Sequence, residues 1–475
     1  MKCDETKPKC RRCIKFGTDC DGYETRATKV NQKATSGPPR LIPILPYSTD
    51  RSQLWYLQPS QDFSFQSDLE AFYFLNFRDC VAPELAGPLG SSLWSRIILQ
   101  ACHFECYVRE TVVALAALRM SLSAVHKSTM PQSSIEISAQ HYRFALQQYG
   151  KAVRNMRKAL AVSNTENSIR KALICCLLVF CFEVFQGNHD LAILHAKSGF
   201  QLLQEWLVTK PYSSSSAGGI SYVGHTSIEN DIVRAFNRLD LQIMTYTNSD
   251  PLEVHKFASQ DGGSMVAHMP SLFSNLDEAN RYWELVMKRN HHFIHSVIAT
   301  AEVNTSRHSS TRAATKTNFR AGIGSLIRSF SHSNCFPILQ AEHSLYSAEI
   351  TRWQSAFKPF LSSTNGCMHA GAAMLQMHSI STQITLDLLI ANEDAVNEYT
   401  DKFQEILYLA KSGVLGLGQE TFSMDLGIIP SLYVVVGNCR DPVLQSEALH
   451  ILASTVRREG LWSSLDIQIK DKNLS

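Results

Sequence analysis

The sequence predicts an all-α fold, in which a large body of stacked helix pairs follows a short cysteine-rich segment and a proline-rich linker. Apolar residues recur at helical spacing through most of the chain after residue 65, and no segment shows the alternation typical of β-strands. Tight turns such as Gly187–Asp190 join consecutive helical segments, which indicates αα-hairpins that pack side by side.

The cysteine-rich segment spans residues 1–23 and is predicted to bind zinc. Cys3, Cys10, Cys13 and Cys20 are separated by six, two and six residues. Thiolates are preferred zinc ligands, and a two-residue gap lets two sulfurs reach one ion from a single turn of chain. The segment is too short and too polar to bury a core, so the metal must supply its folding energy.

Basic residues surround these cysteines: Lys2, Lys7, Lys9, Arg11, Arg12 and Lys15. The run Lys2–Tyr23 resembles the fungal binuclear zinc-cluster DNA-binding domain, in which six cysteines hold two zinc ions. The resemblance implies Cys3, Cys10, Cys13 and Cys20 as zinc ligands and double-stranded DNA as the partner. It also implies recognition of CGG-like triplets, with Lys2 as a base contact and the other five cations as phosphate contacts.

The segment departs from that family in its number of cysteines. The family repeats C-x(2)-C-x(6)-C twice, whereas here only the second copy is complete and the first is reduced to Cys3. Four thiolates suffice for one tetrahedral site but not for the two-metal cluster. We expect Met1 to be an internal methionine of a longer product. The alternative is a chain whose cysteine-rich segment no longer binds DNA. Such a chain would act as a regulator or scaffold through its helical body.

Residues 24–64 are predicted to be a linker, because Pro38, Pro39, Pro43 and Pro46 exclude a continuous helix there. No heptad pattern follows the cysteines, so the sequence predicts no coiled coil and leaves the oligomeric state open.

The helical body is predicted to span residues 65–462. Ser67–Glu70 has the form of a capping box that begins its first helix. Further helices are predicted near the following ranges: 93–102, 105–125, 135–162, 168–185, 191–207, 228–246, 276–300, 346–357, 371–391 and 398–412.

The predicted helix over 135–162 combines an apolar stripe with a row of cations. Tyr142, Leu146, Tyr149, Val153, Met156 and Leu160 form the stripe, and Arg143, Lys151, Arg154, Arg157 and Lys158 are the cations. No acid lies between residues 142 and 161. The row is compatible with a second DNA-contacting surface, but the acidic balance of the body favours a solvated face paired with acids elsewhere.

Charge and cysteine content favour a nucleic-acid contact in a reducing compartment, and the family resemblance implies the nucleus. The first 40 residues carry ten Lys or Arg and five Asp or Glu, whereas the remaining 435 carry 35 and 38. The 13 cysteines are odd in number, and those outside the first segment lie in apolar stretches, which predicts buried free thiols in a reducing compartment. The longest strictly apolar run, 172–182, is too short to cross a bilayer.

The sequence does not favour an enzyme. His291, His292 and His295 lie on one predicted helix, but they lack an H-E-x-x-H pattern and a nearby acid at a suitable offset, so partly buried or hydrated imidazoles are expected. No nucleophile elbow, phosphate-binding glycine loop or dinucleotide-binding pattern is present.

The body itself resembles the helical regulatory region of fungal zinc-cluster transcription factors. This implies a regulatory role and transcriptional co-regulators as partners. The resemblance rests on segments in matching order: Trp94–Gln100, Gln148–Ala152, Cys175–Leu178, Phe236–Asp240, Gly427–Pro430, Cys439–Pro442 and Arg457–Trp462. The tail, 463–475, departs from the family's acidic ending.

Overall fold

Helices form most of the body, which confirms the predicted all-α class. The chain divides into two units, Met1–Asp62 and Phe63–Ser475. The structure is a computed structural model. It describes the following residues: Lys15, 65–125, 132–161, 166–208, 228–247, 251–308, 336–361, 369–390, 393–414, 420–454 and 456–464.

The N-terminal half of the body is a succession of α-helices with two π-helical turns, at Phe77–Val81 and Leu93–Ile97. The α-helices are α1 (Asp68–Asn76), α2 (Ala82–Ala86), α3 (Ile98–Phe104), α4 (Cys106–Val125), α5 (Gln132–Ala161), α6 (Glu166–Gln186), α7 (His189–Val208) and α8 (Asn230–Thr247).

The C-terminal half continues with helices and adds a small sheet. The helices are α9 (Leu252–Gln260), α10 (Gly263–Ala267), α11 (Leu276–His308), α12 (Phe336–Phe357), α13 (Ala370–Asp387), α14 (Thr400–Leu409), α15 (Ile429–Asn438) and α16 (Pro442–Ser454). Shorter helical turns lie at Lys358–Leu361, Glu393–Tyr399 and Ala410–Val414.

The predicted capping box begins α1. The Ser67 side chain accepts a hydrogen bond from the backbone N–H of Glu70 at 3.2 Å. The Glu70 carboxylate reaches back to the backbone N–H of Gln66 at 3.0 Å, one residue earlier than in the usual motif. This exchange satisfies backbone donors that the helix itself leaves free.

Small residues on α5 form the seam of the α4–α5 pair. Ser138, Ala145 and Ala152 recur every seven residues and are buried, whereas Tyr142 and Leu146 of the predicted apolar stripe are about two-fifths exposed. The buried Ser138 hydroxyl donates to the Ser121 carbonyl of α4 at 3.0 Å. Because small side chains let two backbones approach closely, the helix is turned so that its large apolar residues lie at the edge of the interface.

Three clusters of buried side chains make up the core. The first joins α1–α8, the second centres on α11 and α12, and the third joins α13–α16. Trp283 and Trp353 form the heart of the second cluster with ring centroids 4.8 Å apart, and the Trp353 indole donates to the Ala279 carbonyl at 2.9 Å. Burial of apolar surface is the main stabilising contribution to each cluster.

The sheet contains three strands, β1 (Glu420–Ser423), β2 (Val456–Glu459) and β3 (Trp462–Ser463). The order is β1-β2-β3, with β1 parallel to β2 and β2 antiparallel to β3. The sequence did not predict these strands, because segments of two to four residues are too short to show an alternating pattern.

The expectation of buried thiols is correct for part of the body. Cys102, Cys175, Cys181 and Cys439 are buried, but Cys80 and Cys106 are exposed free thiols. Cys335 and Cys367 lie outside the described residues. Within the described ranges, no helix is both long and apolar enough to cross a membrane.

Candidate functional site

The predicted zinc and DNA residues lie almost entirely outside the described part of the chain. Lys15 is the exception, and it is helical and exposed. The others that lie outside are Lys2, Cys3, Lys7, Lys9, Cys10, Arg11, Arg12, Cys13 and Cys20. Their assignment therefore depends on sequence and on donor chemistry.

The donor set of this segment fits a single zinc ion. It contains four cysteines, which is the number of thiolates in a closed tetrahedral site, whereas a binuclear cluster takes six. Within the described body, no group of three or more His, Cys, Asp or Glu side chains is placed to hold a metal ion. The cysteine-rich segment is thus the place where zinc chemistry is supported.

The three histidines of α11 belong to a buried imidazole cluster. His292 and His295 are almost fully buried, and His291 is partly buried. The ring of His255, from α9, stacks on His295 with centroids 5.5 Å apart, and its Nδ1 lies 3.0 Å from Nδ1 of His292. The expectation of partly buried imidazoles is correct for His291, whereas the other two are more deeply buried than expected.

Burial lowers the pKa of three histidines in and beside this cluster. It lowers the pKa of His291 to about 4, assisted by repulsion from His292 and His378. It also lowers the pKa of His295 to about 3, assisted by His291, His255 and His292. Burial likewise lowers the pKa of His378 on α13. His291 and His295 are therefore uncharged at neutral pH.

The cluster makes stability depend on pH in a defined direction. An unfolded histidine has a pKa near 6.5, so below that pH the unfolded chain binds more protons than the folded chain. The free energy of unfolding therefore decreases as the pH falls. We expect a contribution of about 1.4 kcal/mol per pH unit from each such histidine. Denaturant unfolding between pH 7 and 5 measures the slope, which His295→Asn should reduce by that amount. His450→Asn, at an exposed site, should leave it unchanged. Equal slopes in wild type and His295→Asn would contradict the expectation.

An ion-pair network links α8 to α11 and to the loop after β1. Arg238 donates to Glu284 at 3.0 Å and lies 2.8 Å from Asp425, and Arg234 also contacts Glu284 at 3.0 Å. Burial raises the pKa of Asp425 while Arg238 opposes that shift. Removing one partner would leave a buried charge unpaired, which is strongly destabilising. The helical spacing of Arg234 and Arg238 was visible in the sequence, but their acidic partners were not.

A buried carboxylate from β2 caps the N-terminus of α15. Glu459 accepts hydrogen bonds from the backbone N–H groups of Gly427, Ile428 and Ile429 at 3.1, 3.0 and 2.8 Å. Burial raises the pKa of Glu459, whereas Arg457 and these three donors lower it. Helix N-termini stabilise anions, which explains the placement of this charge.

The neighbours of Glu459 anchor the strand pair to the helices. The Arg458 guanidinium donates to the Val184 and Phe185 carbonyls at the C-terminal end of α6, at 2.5 and 3.3 Å. Gln242 of α8 donates to the Met424 carbonyl at 2.6 Å and accepts from the Leu461 N–H at 3.4 Å. The segment Arg457–Trp462 is therefore a structural clasp between the two halves of the body.

Comparison with known families assigns both parts of this architecture. Residues 1–30 match the fungal Zn(2)-Cys(6) binuclear cluster domain, and residues 72–236 match the fungal specific transcription factor domain. Residues 1–30 and 72–236 are therefore similar to the two domains of fungal zinc-cluster transcription factors. The zinc-cluster domain binds zinc, and the second match covers most of helices α1–α8.

Two curated relatives of this chain are named as transcription regulators. The aspercryptin biosynthesis cluster-specific transcription regulator atnN of Emericella nidulans is 29% identical over 215 residues, which cover 43% of this chain and 33% of the relative. The transcription regulator lscL of Purpureocillium lilacinum is 27% identical over 215 residues, which cover 43% of this chain and 47% of the relative. The chain thus spans less than half of either relative. The relatives' names and the family descriptions are those of regulators and not of enzymes, in agreement with the prediction from the sequence. No solved structure matches it at a significant level.

Proposed function

We propose that this chain is a DNA-binding regulator of transcription that acts in the nucleus. The observation that carries the proposal is the match of both domains in one chain, a zinc-cluster head followed by a transcription factor body. The relatives' names support the same class. Its partners are double-stranded DNA for the head and transcriptional co-regulators for the body.

Zinc supplies the folding energy of the head when bound by Cys3, Cys10, Cys13 and Cys20. The head then presents its cations to the duplex: Lys2 to a base edge of a CGG-like triplet, and Lys7, Lys9, Arg11, Arg12 and Lys15 to phosphates. Phosphate contacts release counterions, so binding weakens steeply as salt rises.

The short cysteine set supports a second candidate function. Residues 1–23 hold four of the six cysteines in the family's pattern, which is the number that one tetrahedral zinc site takes. A regulator with this head would act through the helical body without contacting DNA, by binding partner proteins.

Binding of two duplexes to the zinc-loaded full chain separates the two functions. One duplex carries CGG triplets, and in the other each triplet is replaced. We expect the CGG duplex to bind at least about tenfold more tightly, because each wrong base pair typically costs about 1–3 kcal/mol. The affinity should fall as the salt concentration rises. Equal or absent binding to both duplexes would contradict recognition of CGG triplets, and absent binding to both is the result expected of the second candidate.

A further inference from the structure

Helix α5 presents an exposed row of cations that have no acidic partner. Arg143, Arg154, Arg157 and Lys158 are exposed, and their spacing places them on one side of the helix. We call these four residues the basic face. Among the residues that the structure describes, none of the four makes an ion pair or a hydrogen bond through its side chain.

The acidic side chains near α5 already contact residues on the sides of this helix that face the body. Lys151 lies 3.5 Å from Glu70 and 3.2 Å from Glu110. Glu70 also accepts from Gln148, and Glu110 from Asn155. The expected pairing with acids elsewhere therefore holds for Lys151 but not for the basic face.

Apolar surface borders the basic face along one edge. Tyr142 and Leu146 expose 39% and 41% of their surface, and the Tyr142 hydroxyl is held by Gln186 of α6 at 3.0 Å. A phosphate backbone offers a counterpart to the cations only. An acidic segment of a protein that also carries apolar side chains complements both.

A glycine in the middle of the basic face opens room for a partner. Among the described residues, a Cβ at Gly150 would meet only the Arg154 guanidinium, at 3.6 Å, so none of them requires glycine there. Glycine within a helix costs about 0.5–1 kcal/mol relative to alanine. A close approach by another chain is a reason to keep glycine at this position.

From the charges, the bordering apolar residues and the gap at Gly150, we propose that the basic face binds an acidic, amphipathic segment of a partner protein. Arg143 to Lys158 extends over about 23 Å of helix, enough to contact a segment of about four helical turns. This site is independent of the zinc head and of DNA recognition.

The test measures how the full chain binds a labelled amphipathic peptide of about 20 residues, rich in Glu and Leu. The variant Arg143→Gln, Arg154→Gln, Lys158→Gln is compared with a control that removes three exposed cations elsewhere, Arg96→Gln, Lys256→Gln, Lys358→Gln. The basic head is present in both, so the difference between them reports on α5.

We expect the α5 variant to bind the peptide about tenfold more weakly than wild type at about 150 mM salt, while the control stays within about twofold. Melting curves should show that both variants stay folded. Equal losses in the two variants would overturn the proposal. Tighter binding of a duplex without CGG triplets than of the peptide, lost in the α5 variant, would also overturn the proposal. That result would indicate that the basic face is a nucleic-acid surface instead.

Discussion

Replacing Cys13 by Ser should abolish zinc binding by the head and, with it, recognition of the CGG duplex. The head has no core of its own, so its fold depends on the metal. Loss of one of four thiolates leaves an incomplete tetrahedral site, and we expect zinc affinity to fall by at least about 100-fold. Zinc content after dialysis against a chelator and binding of the CGG duplex measure the effect.

The matched control is Cys106→Ser, which removes an exposed thiol from the helical body. It should retain both zinc and DNA binding. If Cys13→Ser keeps its zinc and its affinity for the CGG duplex, Cys13 is not a ligand and the proposed zinc site is wrong.

Gly460→Ala should destabilise the body by roughly 2–5 kcal/mol, the largest effect we expect from a single methyl group. Gly460 lies in the clasp with a φ of +56°, which side chains rarely adopt. A Cβ there would also overlap the amide of Gln242, the side chain that hydrogen-bonds Met424 and Leu461. The variant thus adds backbone strain and breaks a buried hydrogen-bonded contact, which equilibrium unfolding in denaturant measures.

Gly90→Ala separates these two contributions. Gly90 has a φ of +66° but nothing within 4 Å of the position of a Cβ. It should therefore show the backbone strain alone, about 1 kcal/mol. Equal losses for Gly90→Ala and Gly460→Ala would show that the Gln242 contact contributes nothing.

The helices of the body could be predicted because each carries a local signal. The capping box at Ser67 and the apolar periodicity of α5 and of α6 each involve residues that lie close together in the sequence. The rotation of α5 could not be predicted in the same way, because the buried seam of Ser138, Ala145 and Ala152 depends on how closely α4 approaches. Helical periodicity shows which residues share one face of a helix, but not which helix packs against that face.

The candidate site shows the same division. Four cysteines with a two-residue gap indicate zinc from spacing alone. The clasp could not be predicted from the sequence, because Gln242 and Leu461 lie more than 200 residues apart. The buried cluster that His255 forms with the α11 histidines is hidden for the same reason: its members come from separate helices. Contacts between distant segments follow from the fold and leave no pattern in the chain.

Visible absorption of the full chain titrated with Co²⁺ tests most directly whether four thiolates shape the head. Cobalt takes the place of zinc and reports its coordination. The account predicts the intense absorption of tetrahedral thiolate-bound cobalt, saturating at about one ion per chain and lost in Cys13→Ser. The weak absorption of hydrated cobalt at every concentration would contradict it.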